Sequence, residues 1–575
     1  MPQTQHTCLA FIALAGVLSC RAVPVSSRPA DLVVYGRVWT GDSVRPWAGG
    51  VAVAADRIVD VGDSASIAKQ VGSSTKVISN GNALVTPGFA DGHVHLLSGG
   101  FQIARVNLRD ATSPAEFTRR LKDHAAKLRP GEWITGGDWD HERWPGAPLP
   151  ERNWIDSVTP NNPVFVNRLD GHMSLANTAA LRLARISRTT RDVPGGTILR
   201  DPRTGEPTGL LKDNARDLVE RVKPTPSPAQ SDSALARAMR WAAAHGVTAV
   251  STMSDDPGTL SIAGSWRELA ALKRAHESGT MLTRVSVYVS LQAWRAMADT
   301  LRAQGPGDDW LRSAGVKGFV DGSLGSTTAL FYRPYNDAPG SFGLLVTPED
   351  SLRAWIGGAD SAGLQVVVHA IGDRANGLLL DIYDSVAKAH GPRDRRFRIE
   401  HAQHLRRQDI ARLAHSGDVA SMQPYHAIDD GRWAEKRIGP ERIKTTYAFR
   451  SLLDNGARLA FGSDWTVAPI DPILGIYAAV TRRTLDGKNP NGWVPGQKIT
   501  VEEALRAYTA GNAYGVFAER SRGKIAPGYL ADLVVLDQDL TAIPPEAIEQ
   551  AEVRATIVGG KVVFQRPASG VAEKH

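Results

Sequence analysis

The chain has 575 residues, of which 42% are hydrophobic and 22% charged, so it has the composition of an ordinary globular protein and the length for more than one domain. Its net charge of +7 is small for this length, and no basic segment with interleaved aromatic residues occurs, which argues against a nucleic-acid-binding protein. The two cysteines, Cys8 and Cys20, lie close to the N-terminus, so the predicted folded part has no disulfide and no thiolate metal ligand.

The N-terminal segment has the features of an export signal. Residues 8–18 form an apolar run that is too short to span a bilayer as a mature helix but has the length of a signal-peptide core. The run ends at Val17-Leu18-Ser19-Cys20, which resembles a bacterial lipobox, although no Lys or Arg precedes it. We therefore predict a signal peptide over 1–20, a tether over 21–30, and an exported protein that is either periplasmic or a membrane-anchored bacterial lipoprotein with its lipid on Cys20.

Short runs of β-forming residues occur at both ends of the remaining chain. Between residues 31 and 84, and again between 523 and 566, such runs are separated by Gly, Asp and Pro. Gly559-Gly560 has the sequence of a hairpin turn. Because strands from both ends can close into one sheet, we predict a small β-sandwich domain made of these two parts, with 567–575 as a tail.

The middle of the chain, residues 85–522, alternates Val-rich strands with helices. Ser227-Pro228-Ala229-Gln230, for example, combines a capping box with proline at the first helical position. Such an alternation predicts an α/β fold of the (β/α)₈ TIM-barrel type. The first crossover is too long for a single helix, so we predict a large insertion after strand one, at about 100–230, that covers the barrel mouth. The predicted barrel strands are residues 85–89, 247–252, 284–290, 316–320, 364–369, 397–401, 419–422 and 458–462.

Histidines, one lysine and one carboxylate accompany these strands. The chemistry of a barrel lies at the C-terminal ends of its strands. Two imidazoles two residues apart on an extended chain point to the same side and can hold one metal ion. A lysine inside an apolar run is costly to bury unless it has a partner or a function. The candidates are His93 and His95 after strand one, Lys317 in strand four, His369 in strand five, His401 in strand six and Asp464 after strand eight.

This ordered set resembles the amidohydrolase superfamily in its two-metal form with a carboxylated lysine. Segments 85–95, 319–326, 369–373, 400–403 and 523–532 resemble the amidohydrolase 3 family, and within it the YtcJ-like group that includes N-substituted formamide deformylases. The resemblance covers nearly the whole chain after the predicted signal peptide. It implies two divalent metal ions, with zinc as the default and manganese, cobalt or iron as alternatives.

The resemblance also implies a role for each candidate. Lys317, converted by CO₂ into a carbamate, would bridge the two ions. Because Lys317 lies early in its predicted strand, Asp321 is a rival for the bridging position. Asp464 would also be the catalytic base, taking a proton from water and returning it to the leaving nitrogen. The ions would be held by His93, His95 and Asp464 on one side and by His369 and His401 on the other.

Three residues are predicted to contact the substrate, namely His172, His426 and Asp321. His172 resembles a family position that contacts substrate, and a surface loop histidine is the alternative. His426 follows strand seven and is expected to face the cavity. Glu400 precedes His401 and is a candidate for orienting a metal ligand.

Three functions are compatible with these residues. The first is a metal-dependent hydrolase of a linear amide C–N bond, such as an N-formyl or N-acyl amine. The second is a deaminase or cyclic-amide hydrolase on the same scaffold, although a mononuclear deaminase would not need Lys317. The third is an exported binding or regulatory protein, which would be expected to lack a ligand, and none is missing. We expect a small-molecule amide as substrate and no nucleic-acid partner, and a homodimer is left open.

Overall fold

The computed structural model describes residues 29–253 and 262–567. The predicted signal peptide, Cys20 and nearly all of the predicted tether lie outside these residues, as does almost all of the predicted tail. Within the described residues, no helix combines the length and the apolar composition needed to cross a membrane. The strands of this part of the chain belong to a β domain, a barrel and an insertion.

The secondary-structure elements are numbered in chain order. The described strands are β1 (Leu32–Trp39), β2 (Trp47–Ala54), β3 (Arg57–Gly62), β4 (Lys76–Pro87), β5 (Phe89–Val94), β6 (Val106–Asn107), β7 (Ile134–Trp139), β8 (Val164–Arg168), β9 (Met173–Ala176), β10 (Gly196–Arg200), β11 (Pro207–Asp213), β12 (Val247–Met253), β13 (Arg284–Ser290), β14 (Leu311–Phe319), β15 (Gln365–Ala370), β16 (Arg398–His401), β17 (Val419–Met422), β18 (Arg458–Phe461), β19 (Leu533–Leu536), β20 (Val553–Val558) and β21 (Lys561–Gln565). The described α-helices are α1 (Ser64–Ala68), α2 (Leu96–Gln102), α3 (Pro114–Ala125), α4 (Asn153–Asp156), α5 (Thr178–Leu183), α6 (Asp217–Glu220), α7 (Pro228–Ala244), α8 (Ile262–Glu277), α9 (Trp294–Gln304), α10 (Glu349–Ser361), α11 (Asp373–His390), α12 (Arg407–Ser416), α13 (Pro424–Asp430), α14 (Ala434–Arg442), α15 (Phe449–Asp454), α16 (Pro472–Thr481), α17 (Val501–Arg506) and α18 (Asn512–Gly515).

The two ends of the described chain form the predicted β domain. Within the described residues its strands make one seven-stranded sheet in the order β21-β20-β19-β4-β1-β2-β3. Residues of β1 and β2 share one apolar core with residues of β19 and β20, so the two ends of the chain fold as a unit. Gly559 and Gly560 connect β20 to β21 with φ values of +55° and +73°, which glycine adopts without strain.

The predicted barrel is built from parallel strands. Among the described residues there are eight, in the order β5-β12-β13-β14-β15-β16-β17-β18, so each strand lies beside the next one in the chain. A parallel bridge between Val94 and Trp465 brings the end of β5 beside the segment that follows β18. The backbone N–H of Asp464 donates to the carbonyl of His93 at 2.7 Å in the same place. The residues after strands one and eight are therefore neighbours at the barrel mouth.

The first barrel strand begins later than the sequence predicts. The apolar run at 85–89 serves two sheets, because Val85 to Pro87 pair with β19 in the β domain and the barrel strand is β5. Gly88 lies at the passage between them, where a Cβ atom would come within 2.2 Å of the Thr248 side chain. His93 consequently lies inside its strand and His95 directly after it.

The fourth barrel strand begins earlier than the sequence predicts. Strand β14 starts at Leu311, and its first half is only partly buried, so the apolar run marks only its second half. Lys317 is therefore two residues from the end of the strand. The expectation that Lys317 lies early in its strand is wrong, and this was the reason for naming Asp321 as a rival for the bridging position.

The long insertion after β5 has its own sheet at the barrel mouth. Its strands are in the order β10-β11-β9-β8-β7-β6 and enclose an apolar core that includes Trp139 and Trp144. The Arg109 guanidinium donates to the Val467 carbonyl at 2.7 Å, and Gln102 Nε2 donates to the Thr466 carbonyl at 2.9 Å. These bonds join the insertion to the segment that follows β18.

Outer helices cover the barrel, and two of them, α7 and α17, begin with a complete capping box. Ser227 and Gln230 make both bonds of the predicted capping box at the start of α7, and Thr500 and Glu503 make both at the start of α17. The buried side of α7 carries Leu235 and Met239, which join the main apolar core.

Candidate metal centre

All six predicted metal-binding side chains line one cavity at the C-terminal end of the barrel. The cavity has a volume of about 650 Å³ including its open mouth. The sequence-predicted residues on its wall are His93, His95, Lys317, His369, His401 and Asp464, together with His172 and His426. The six metal-ligand candidates are up to several hundred positions apart in the chain, yet they meet in one place because each lies close to the C-terminal end of a barrel strand or just beyond it.

Three of these side chains are close enough to hold a single ion. One ligand atom from each of His93, His401 and Asp464 lies within 4.8 Å of the other two. His95 adjoins this group, since its Nε2 atom is 3.3 Å from Asp464 Oδ1, and His93 Nε2 is 3.5 Å from the same oxygen. His369 extends the cluster, because its ring centroid is 4.4 Å from that of His401. The group offers the imidazole and carboxylate donors that divalent transition metals prefer.

The second ring nitrogen of three histidines is already engaged, which fixes the nitrogen left for a ligand. His93 Nδ1 donates to Glu400 Oε2 at 2.5 Å, and His401 Nδ1 donates to Gln423 Oε1 at 2.8 Å. His369 Nε2 donates to the Gly322 carbonyl at 3.0 Å. Metal-ligating histidines commonly use such a bond to hold their tautomer and ring orientation. The bonds leave Nε2 of His93 and His401, and Nδ1 of His369, with a lone pair.

Glu400 connects His93 to a buried arginine. Arg398 Nε donates to Glu400 Oε1 at 2.8 Å, and Ser421 Oγ donates to Oε2 at 2.7 Å. Burial by itself would raise the pKa of Glu400, but Arg398 and then His93 outweigh it and lower the pKa to about 2. Arg398 also donates to the Gly92 carbonyl at 2.6 Å. The carboxylate therefore stays ionised and holds the His93 ring against the barrel interior.

Three imidazoles of the cluster, those of His93, His369 and His401, are held in the neutral form that binds metals. Burial and then the Lys317 charge lower the pKa of His93 to about 4. Burial also takes the pKa values of His369 and His401 well below their ordinary value, assisted by His172 for the former and by His369 for the latter. Burial would raise the pKa of Asp464, but His93 and His95 outweigh it, so the carboxyl is ionised.

Lys317 lies in the middle of this group. The side chain is 1% exposed, and its Nζ atom donates to His93 Nε2 at 3.1 Å. The same atom is 4.8 Å from the centroid of the Phe319 ring. The lysine amino group therefore faces the ring nitrogen that a metal ion would use.

His172 and His426 reach the same cavity from the insertion and from α13. His172 Nδ1 donates to Asp213 Oδ1 at 2.6 Å, and the His172 ring centroid is 5.0 Å from that of His369. Burial would lower the pKa of His172, but the bond to Asp213 outweighs it and raises the pKa. Nε2 of His426 is buried and has no hydrogen-bond partner among the described residues.

Asp321 is not brought to the cavity wall. The residue is 0% exposed, and the backbone N–H groups of Leu330, Ile371 and Gly372 donate to its carboxylate at 2.7–3.0 Å. These bonds connect the end of β14 to the start of α11. The prediction that Asp321 contacts the substrate or bridges the ions finds no support in this position, because its oxygens are already engaged with the backbone.

Several residues of the site were not predicted from the sequence. Gln423 and Arg398 orient ligands, and Arg168, Arg432 and Trp433 line the cavity. Arg398 lies inside a predicted strand and two residues before Glu400, which is a weak signal that could have been used, since a fully buried arginine is usually paired. Gln423 directly follows β17 and Arg168 ends β8, whereas Arg432 and Trp433 lie between α13 and α14, where no strand or motif marks them.

Comparisons with known proteins agree with the fold. The profile of the amidohydrolase family matches residues 76–564. Protein LONG AFTER FAR-RED 3 of Arabidopsis thaliana is 41% identical over 546 residues, which are 94% of this chain and 93% of that protein. An N-substituted formamide deformylase of Arthrobacter pascens is 27% identical over 550 residues, which are 94% of this chain and 99% of that protein.

A solved structure has the same architecture. It is that of an uncharacterized metal-dependent hydrolase from Pyrococcus horikoshii OT3, with a TM-score of 0.71 and 28% identity, and it covers 90% of this chain and 99% of that chain. The family profile extends from the start of β4 in the β domain, through the barrel and its insertion, almost to the end of β21. The motifs, the barrel and the family profile agree, and this chain belongs to the amidohydrolase family.

Proposed function

We propose that the chain is a metal-dependent hydrolase that cleaves the C–N bond of an amide, with an N-formyl or N-acyl amine as the substrate class. The observation that carries the proposal is the meeting of four histidines, one lysine and one aspartate on the wall of a single cavity. The relatives add support, since one is named as a formamide deformylase and one structure is described as a metal-dependent hydrolase.

The residues present fit two divalent ions. His93, His95 and Asp464 would hold one ion, and His369 and His401 the other. Lys317, as the carbamate formed with CO₂, would supply two oxygens between them. Neutral imidazoles whose far nitrogen is engaged, a buried carboxylate and a lysine that faces His93 at 3.1 Å are the donor set such a centre needs.

The protein residues would then have distinct tasks. Bound divalent ions supply water with a pKa near neutrality and polarise a carbonyl oxygen. Asp464, 3.3 Å from His95 Nε2, takes the proton from the attacking water and returns it to the leaving nitrogen, so the amine departs neutral. Glu400 and Gln423 keep the His93 and His401 rings in place throughout.

The cavity wall beyond the ligands would bind the substrate. His172 faces His369 from the insertion, and Nε2 of His426 is a buried nitrogen without a described partner, so both are placed to contact the amide. Phe319 and Leu324 on the same wall provide apolar surface for an acyl or alkyl group. Export, with a lipid on Cys20 or with simple cleavage, remains part of the proposal for the segment outside the described residues.

A metal and activity screen tests the proposed function. Protein supplied with zinc and bicarbonate is expected to contain about two ions per chain, by the two-ion assignment above, and to hydrolyse at least one class among N-formyl amines, N-acyl amines, dipeptides and lactams. Removal of the ions with a chelator should abolish the activity without unfolding the barrel, as followed by circular dichroism, and zinc should restore it. Protein that binds no metal and cleaves none of these compounds would refute the proposal.

A further inference from the structure

An open groove adjoins the active-site cavity beside the start of α14. Arg432 and Trp433 line both spaces, so these two side chains lie between the cavity and the groove. Leu485, which is 43% exposed, adds an apolar patch to the groove wall. A molecule with one end in the cavity could therefore extend over Trp433 into the groove.

The groove carries more positive charge than its carboxylates neutralise. Arg143 is exposed, and its guanidinium makes no hydrogen bond or ion pair with another described residue. Lys436 Nζ is 3.7 Å from Glu142, but that carboxylate is already held by Arg437 at 2.7 Å. Lys488 pairs with Asp486 at 3.3 Å on the opposite wall. The groove thus presents cationic side chains that neighbouring carboxylates neutralise only in part.

The wall of the active-site cavity does not have the same excess of positive charge. Arg432 donates to Asp140 at 2.9 Å and also bonds with Asp429, and Arg168 is bound by Asp170 at 2.7 Å. The guanidinium groups nearest the reacting amide are therefore neutralised by neighbouring carboxylates. On the groove wall, by contrast, Arg143 is a cation without a described partner.

We propose that this groove binds an anionic group of the substrate. The substrate is then an N-formyl or N-acyl amine with an apolar stem that crosses Trp433 and a carboxylate or phosphate at its far end. The idea rests on the proposed function, which fixes the position of the reacting amide. Charges at a rim act at short range and are screened by salt, so the groove sets a preference for anionic compounds and does not perform the chemistry.

Matched substrates test the proposal. Three N-formyl amines with the same apolar stem are compared, ending in a carboxylate, a phosphate or a neutral carboxamide, and kcat/KM is measured for each with zinc-loaded protein. We expect both anions to exceed the carboxamide, and the excess to shrink when NaCl is raised, because the Debye length falls from ~30 Å at 0.01 M to ~8 Å at 0.15 M. A preference for one anion over the other identifies the natural group. Measurable rates that are equal for the anionic and neutral compounds would overturn the proposal.

Variants assign the preference to the groove. The Arg143→Gln substitution is expected to lower the ratio of anionic to neutral kcat/KM about threefold, and Arg143→Gln combined with Lys436→Gln about tenfold, because each exposed charge contributes only a modest attraction. The matched control is Arg240→Gln. Arg240 is exposed and lies near the end of α7, the helix that leads into the opposite end of the barrel. The control should leave the ratio unchanged, and a ratio unaffected in the double variant would refute the assignment.

Binding separates this proposal from the proposed function. The dissociation constants of the same three compounds are measured by calorimetry with wild-type protein and the double variant. Tighter binding of the anions that is lost in the double variant supports the groove even when no compound is hydrolysed, in which case only the hydrolase proposal fails. Equal binding of all three compounds contradicts the groove even when all are hydrolysed.

Discussion

Replacing Gln423 by leucine is expected to weaken metal binding without removing a ligand. Gln423 Oε1 accepts from His401 Nδ1 at 2.8 Å, and Gln423 is 0% exposed. The bond selects the tautomer in which Nε2 has its lone pair, and it holds the ring in one orientation. Leucine has a similar size but no acceptor, so the ring must select its tautomer and orientation when the ion binds.

The size of the effect follows from two independent considerations. Loss of such an orienting partner typically reduces metal affinity by about 10–100-fold, or roughly 1.4–2.7 kcal/mol. A buried donor left without its acceptor costs about 1–3 kcal/mol, which is the same range. Competition with a chromophoric chelator should therefore show a dissociation constant for zinc that is at least ten times higher in Gln423→Leu than in the wild type.

A second buried glutamine provides the matched control. Gln365 begins β15, and its amide donates to the Arg396 and Gly515 carbonyls at 2.8 Å, away from the candidate metal ligands. Gln365→Leu should lower the melting temperature but leave the zinc affinity within about twofold, since it too loses buried hydrogen bonds but orients no imidazole. The reasoning would be wrong if the two variants bound zinc equally, or if Gln423→Leu bound it as tightly as the wild type.

Three further predictions concern charge. Lys317→Ala should lose metal and activity. Added acetate should restore part of both, because a small carboxylate can occupy the space of the carbamate. A variant that acetate does not restore would count against a bridging anion. Asp464→Asn should lower kcat by about 10²–10⁴ with a smaller change in KM, as expected for loss of proton transfer, and an unchanged kcat measured with saturating metal would exclude it as the base. Burial raises the pKa of Asp418 to about 7 against a weaker opposing bond from Ser416, so the folded state retains a proton that the unfolded chain loses, and the stability contribution of this group falls as pH rises from about 4 to 7. Asp418→Asn should therefore raise the free energy of unfolding at pH 8 by at most about 4 kcal/mol, and the melting temperature with it, but should change both little at pH 4. An equal rise in melting temperature at pH 4 and pH 8 would contradict the titration.

Local sequence patterns were sufficient to predict the structure where a single short segment contains all the residues that determine it. The capping residue Ser227 located a helix start, and Gly559-Gly560 located a hairpin, because these preferences depend on neighbours within a few positions. Local patterns failed at 85–89, where a single apolar run supplies two different sheets. They also failed at the start of β14, where the residues are only partly buried and do not form an apolar run.

Chemistry alone could not decide which polar groups reach the cavity. Asp321 has the residue type and the strand-end position of a ligand, but its carboxylate is turned to three backbone N–H groups. Arg143 has no motif, and the groove charge becomes visible only when α14 and the loop after α16 are seen side by side. Asp464 differs from these residues, because its position after the eighth barrel strand could be predicted from the order of the strands in the chain.

The amino-acid sequence by itself determined the family, the barrel and the order of six metal-binding candidates, because strand periodicity and the residue that ends each strand are local properties. Tertiary structure alone decided how those candidates are oriented. His93 and Glu400 are 307 positions apart and His401 and Gln423 are 22 apart, yet both contacts depend on how the strands are placed side by side around the barrel. Closure of the barrel sets such distances, and no pattern within a segment encodes them.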